Sequence, residues 1–105
     1  MVKIPDKIKA IAERYFLLLK ENDILVKDAY LFGSYAKGNS NAWSDIDIAI
    51  VSDSFEGIRI KDKDKIRKIT LSVSSSLEIL PFNPKDFSFE NPLAREIMET
   101  GIRLV

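Results

Sequence analysis

The sequence predicts a mixed α/β (α+β) architecture, one small mixed β-sheet covered by helices, and three observations predict it. Helical and strand periodicities alternate in the order helix, strand, strand, helix, strand, helix, strand. The 105 residues are the ordinary size of one domain, so residues 1–105 are expected to form a single unit around one core. With 46% hydrophobic and 30% charged residues, the composition is that of a globular chain rather than a disordered one.

The first helix rests on Ile4, Ile8, Ile11, Ala12, Tyr15, Leu18 and Leu19, which recur at helical spacing between charged positions. Pro5 suits the first helical position, Asp6 complements the positive end of the helix dipole, and Asn22 with Asp23 supply a stop. From Ala29 to Phe32 an apolar run ends at Gly33, as a strand does on entering a tight turn. Tyr35 to Trp43, with Gly38, Asn39 and Asn41, reads as a turn or a single helical turn followed by loop.

Ile46, Ile48 and Ile50 then alternate with Asp45, Asp47 and Ala49, the period-two pattern of a strand whose isoleucines face the core. Ile58, Ile66, Ile69 and Val73 return to helical spacing. The interleaved run of Arg59, Lys61, Lys63, Lys65, Arg67 and Lys68, broken by Asp62 and Asp64, reads as a solvated helix face in preference to a partner or RNA surface. Leu77 to Phe82 predicts a third strand closed by Pro81 and Pro84. Asn91 and Pro92 open a last helix that Gly101 ends, and a short strand is expected over 102–105. Phe82, Phe87 and Phe89 are expected to pack in the core, with an apolar patch for a partner chain as the other reading.

Absences narrow the chemistry. With no cysteine, disulfide frameworks, thiolate metal sites and cysteine nucleophiles are excluded. With no histidine, so are the commonest general base and the serine–histidine–aspartate arrangement, which leaves carboxylates, hydroxyls, lysine or a metal. Sixteen basic and sixteen acidic residues cancel, which argues against direct nucleic-acid binding as the main task. Neither a signal peptide nor a membrane span is readable, so a cytoplasmic protein without membrane contact is expected.

The chemistry-bearing residues concentrate between Gly33 and Asp47. Asp45 and Asp47, two apart on a strand, point to the same face with Cα atoms about 6.5–7 Å apart. Carboxylates held so close repel each other, and hard divalent cations relieve that cost; Mg²⁺ takes one or two carboxylates together with phosphate oxygens. Gly33 lets backbone approach a ligand closely, and Ser34 adds a hydroxyl beside free N–H groups, which together suit a phosphate. Lys37 and Gly38 follow within reach of the same anion. Phosphate binder and metal binder on one short connection fit phosphoryl or nucleotidyl transfer. A third carboxylate is needed to complete the metal shell and take a proton; Glu78 supplies it if the third strand pairs beside the second. Asp53, Asp62, Asp64 and Asp86 are weaker candidates, in loops or on a helix face. Tyr35 and Trp43 read equally as base-stacking residues or loop anchors.

The segment GSYAKGNSNAWSDIDIAI, from Gly33 to Ile50, resembles the signature of the minimal nucleotidyltransferases, a branch of the DNA polymerase beta superfamily. The match covers Gly33, Ser34, Gly38, Ser44, Asp45 and Asp47, and the chain has the length and element order of that family. The resemblance implies the nucleotidyltransferase fold, an aspartate pair on two Mg²⁺ ions, and a triphosphate, ATP as substrate, held at Gly33 and Ser34. It places Lys37, Gly38 and Ser44 in the same nucleotide-binding segment. A third acid on a later strand falls to Glu78, where the family usually has aspartate. It further implies an antitoxin that moves AMP onto a tyrosine of a cognate HEPN-type toxin, or one that neutralises this partner by binding alone. Homo- and hetero-oligomers are both compatible with the sequence.

Overall fold

The computed structural model describes residues 4–38 and 44–105. Along the chain run α1 (Asp6–Glu21), β1 (Asp28–Phe32), α2 (Ser34–Lys37), β2 (Ile46–Val51), α3 (Arg59–Val73), β3 (Leu77–Phe82), α4 (Pro92–Thr100) and β4 (Ile102–Arg103). The strands form one sheet in the order β3-β2-β1-β4. β1 runs antiparallel to both β2 and β4, while β2 and β3 are parallel and joined through α3. A parallel neighbour needs a crossover, and α3 provides it. The architecture is therefore the mixed α/β one expected, with a mixed sheet between helices.

Helices cover the two faces unequally. On one face, α1 and α3 bury Ile8, Ala12, Tyr15, Leu19 and Ile66 against Ile46, Ile48 and Ile50. On the other, α4 sets Ala94 and Ile97 over Ala49, Val51 and Phe82. β2 is thus buried on both sides from Ile48 onward, where the sequence pattern credited only its isoleucines with the core. Small Ala49 is what lets the second layer approach closely.

Polar groups inside the core are paired. The Tyr15 hydroxyl lies 2.7 Å from Thr70 Oγ1, and Thr70 in turn donates to the Ile66 carbonyl at 3.0 Å. Burial pushes the Tyr15 phenol up to about 12, against a smaller lowering from the Thr70 contact. Tyr15 is accordingly a neutral core anchor. Asp62 is 1% exposed, and its two carboxylate oxygens accept the Glu56 and Gly57 N–H groups, both at 2.9 Å.

Several sequence expectations are corrected. Asp62 leaves the solvated face predicted for its run because the 52–58 connection folds back over the start of α3 and presents unpaired N–H groups to it. Ile58 and Phe89 stand exposed, at 49% and 59%; Ile58 precedes the helix as its N-cap, so the helical period does not apply to it. Pro5 is the N-cap of α1 rather than its first residue. β4 is shorter than the expected 102–105 strand. Asn39, Asn41 and Trp43 lie outside the described residues. Among the described residues no helix is long and apolar enough to cross a membrane.

Candidate active site

Cross-strand partners share a face, so the register lays out the side chains beside Asp47 as a grid. Asp47 pairs with Phe32 of β1 on one side and with Glu78 of β3 on the other. The next row on the same face is Tyr30, Ala49 and Leu80. α4 packs over Ala49 and Val51 farther along β2, and Phe32 packs against the same cluster, while Asp47 beside it is half-buried and Glu78 is exposed.

Asp45 immediately precedes β2 and is exposed, and Asp47 is half-buried. The condition attached to Glu78 is met: β3 pairs beside β2, with Glu78 opposite Asp47. The Asp47 carboxyl is raised above the usual carboxylate range, first by burial and then by the negative charges of Asp45 and Glu78. That shift records three acids close enough to oppose one another. They nevertheless do not converge into a ready-made metal cluster of three or more ligands among the described residues. The exposed Glu78 carboxylate leans instead toward Lys63 of α3, with Oε1 3.4 Å from Nζ.

Gly33 closes the site from the β1 side. Its backbone sits at φ 72°, ψ −150°, a combination that essentially only glycine adopts. A Cβ there would overlap Asp47 Oδ2 and lie 3.1 Å from Asp47 Cγ. The glycine therefore allows a backbone turn to rest directly against the acid. Ser34 opens α2, Lys37 ends it in the open, and Gly38 caps it in the left-handed conformation. The sequence allowed one helical turn in this stretch, and α2 is that turn. Ser44 lies just before Asp45 and is half-buried and engaged. Tyr35 packs against the main core, which favours its reading as an anchor.

The structure thus brings Gly33, Asp45, Asp47 and Glu78 to one end of the sheet, with Ser34 next in the chain, while Lys37 points to solvent. Two neighbours escaped sequence reasoning. Phe32 flanks Asp47, a position that follows from the antiparallel β1–β2 register; Lys63 reaches Glu78, and nothing in a run of alternating basic residues singles it out. Oxygen-only donors that oppose one another at Asp47 suit a hard divalent cation, and the donor types fit Mg²⁺.

Comparison with known proteins places these features in a family. Residues 8–104 match the model of the nucleotidyltransferase domain. The fold resembles that of a candidate nucleotidyltransferase from Sulfolobus solfataricus, with a TM-score of 0.65 and 14% identity over 92% of this chain and 78% of that one. It also resembles a chain from a toxin–antitoxin structure with AMP-PNP, with a TM-score of 0.61 and 24% identity over 96% of this chain and 73% of that one. No curated protein matches the sequence.

Proposed function

This chain belongs to the nucleotidyltransferase domain family, and from that premise we propose that it moves AMP from ATP onto a hydroxyl of a partner protein. The observation that carries the proposal is the position of Asp47, with Gly33 against its carboxylate on one side and Glu78 in register on the other. A turn that admits a phosphate and the hard oxygen donors of Asp45, Asp47 and Glu78 thus share one end of the sheet.

In this reading Gly33 and Ser34 seat the triphosphate through backbone and hydroxyl, with Lys37, Gly38 and Ser44 completing the nucleotide-binding segment. Asp45 and Asp47, joined by Glu78, would hold Mg²⁺, which supplies neutralisation of the phosphate charge when bound. Glu78 takes the proton of the acceptor hydroxyl. The bond from acceptor oxygen to the α-phosphorus forms as the bond from that phosphorus to the bridging oxygen breaks, and pyrophosphate leaves with the electron pair. Phe32, in register beside Asp47, limits water on that side of it, consistent with the burial that raises its carboxyl.

Adenine as the base and a protein as the acceptor draw support from the fold shared with a toxin–antitoxin structure that holds AMP-PNP. We take the acceptor to be a tyrosine of a cognate HEPN-type toxin, and the chain to act in the cytoplasm as its antitoxin. The test is the intact mass of such a partner after incubation with ATP and Mg²⁺. One added AMP, lost with Asp45→Asn and with Asp47→Asn, is the expected result. An unchanged mass beside undiminished neutralisation of the toxin would overturn transfer in favour of neutralisation by contact.

A further inference from the structure

A groove of about 170 Å³ runs between α3 and the outer edge of β3, and Glu78 forms part of its wall. We propose that this groove receives an extended segment of the acceptor protein and delivers the acceptor hydroxyl across Glu78; the inference rests on the transfer reading above and adds where the acceptor enters.

The direction of approach follows from the strand order. The triphosphate turn at Gly33 lies on the β1 side of Asp47, so in-line displacement sends pyrophosphate toward β1 and requires the attacking oxygen to come from the opposite side. That side is β3, the outer strand, whose Glu78 is in register with Asp47. Glu78 also lines the groove.

Its chemistry selects the occupant. Ile66, Leu77 and Ile79 are buried apolar residues along it, and Leu71 is apolar and 62% exposed. Among the described residues no aromatic ring lines it, so stacked bases find no platform there, while aliphatic side chains do. The strand edge offers main-chain pairing as well. Ile46 N donates to Ser76 O and Ser52 N to Phe82 O, so the even-numbered residues of β3 turn their backbone groups toward β2. Ile79 therefore turns its N–H and C=O outward, where no strand lies among the described residues. Pro81, farther along the same edge, has no N–H to offer, and the Leu77 N–H already donates to the Ser74 carbonyl, which confines pairing to Ile79. Charge adds a preference. α3 carries six basic residues against Asp62 and Asp64, and Lys63 and Arg67 stand on the groove itself, in exposed ion pairs with Glu78 and Asp64 that an acidic guest would have to share. A short extended peptide with β-branched or aliphatic side chains and an acidic residue beside them matches this surface.

The experiment selects random dodecapeptides displayed on phage against the full chain and follows the recovered sequences as synthetic peptides. Recovered peptides are expected to combine Asp or Glu with Val, Ile or Leu, and to slow hydrogen exchange at the Ile79 amide. The double variant Leu71→Asp, Arg67→Glu, with its thermal unfolding unchanged, should weaken them by about tenfold or more, whereas Asp47→Asn should not. Failure to recover any peptide, equal binding to the double variant, slowed exchange elsewhere, or displacement by single-stranded oligouridine would overturn the groove. Binding of AMP-PNP with Mn²⁺ is measured in parallel on the wild type and on Asp47→Asn. Nucleotide binding indifferent to Asp47 sinks the transfer reading, whereas peptide binding indifferent to the groove variants sinks this inference alone.

Discussion

At the scale of single residues, Asp47 carries a cost that its function explains. Burial and two neighbouring carboxylates raise its pKa in the folded chain. A raised carboxyl contributes stability below its unfolded value near 3.9 and loses that contribution as pH rises through the folded value. Without a divalent ion, the chain should therefore lose stability as the pH climbs out of the acid range. Asp47→Asn removes that loss. At neutral pH without a divalent ion the substitution should therefore raise Tm, while Mn²⁺ and nucleotide binding collapse. Differential scanning calorimetry across pH, with and without Mn²⁺, separates the two effects; a Tm lowered by the substitution would contradict the assignment. Gly33→Ala should do the reverse. Its Cβ meets the Asp47 carboxylate in a backbone region closed to alanine, which costs about 1–3 kcal/mol and reads out as a lower midpoint in urea.

Among elements, what local periodicity could reveal is clearest at β2. Ile46, Ile48 and Ile50 fixed one buried face, and that alone placed Asp45 and Asp47 together. Glu78 needed more, because its approach depends on a parallel register set by the α3 crossover, a relation between segments that no local pattern encodes. The two-sided burial of Ala49 and Val51 was hidden for the same reason: α4, beyond both α3 and β3 in the chain, covers a face whose first members are acids. Asp62 was misread because charge in a basic run looks solvated, whereas the connection before α3 folds onto it. Asp62→Ala would strand the Glu56 and Gly57 N–H groups in a part-buried connection, and about 3 kcal/mol of stability should go with them. A Tm fall of at least about 10 °C is the expected measurement, with Asp62→Asn falling less because its amide oxygen still accepts one bond.

For the whole molecule, one end of a four-stranded sheet is left for chemistry while helices fill both faces elsewhere. The α/β class and element order were readable from alternating periodicities, and the shape they imply, a radius of gyration of 12.9 Å, matches the roughly 13 Å of a compact chain of this length. The outer strand also bears on how copies of the chain behave together. An unpaired strand margin invites a neighbouring copy to continue the sheet, and a residue without an amide proton interrupts that invitation. Pro81→Val would restore the missing donor and lengthen the margin available for pairing. Light scattering should then register assembly at protein concentrations where the parent chain stays dispersed. A ring set within the outer strand, on its unpaired margin, would thus act as a safeguard against fibrous self-assembly, leaving only a brief run of main chain for a chosen guest.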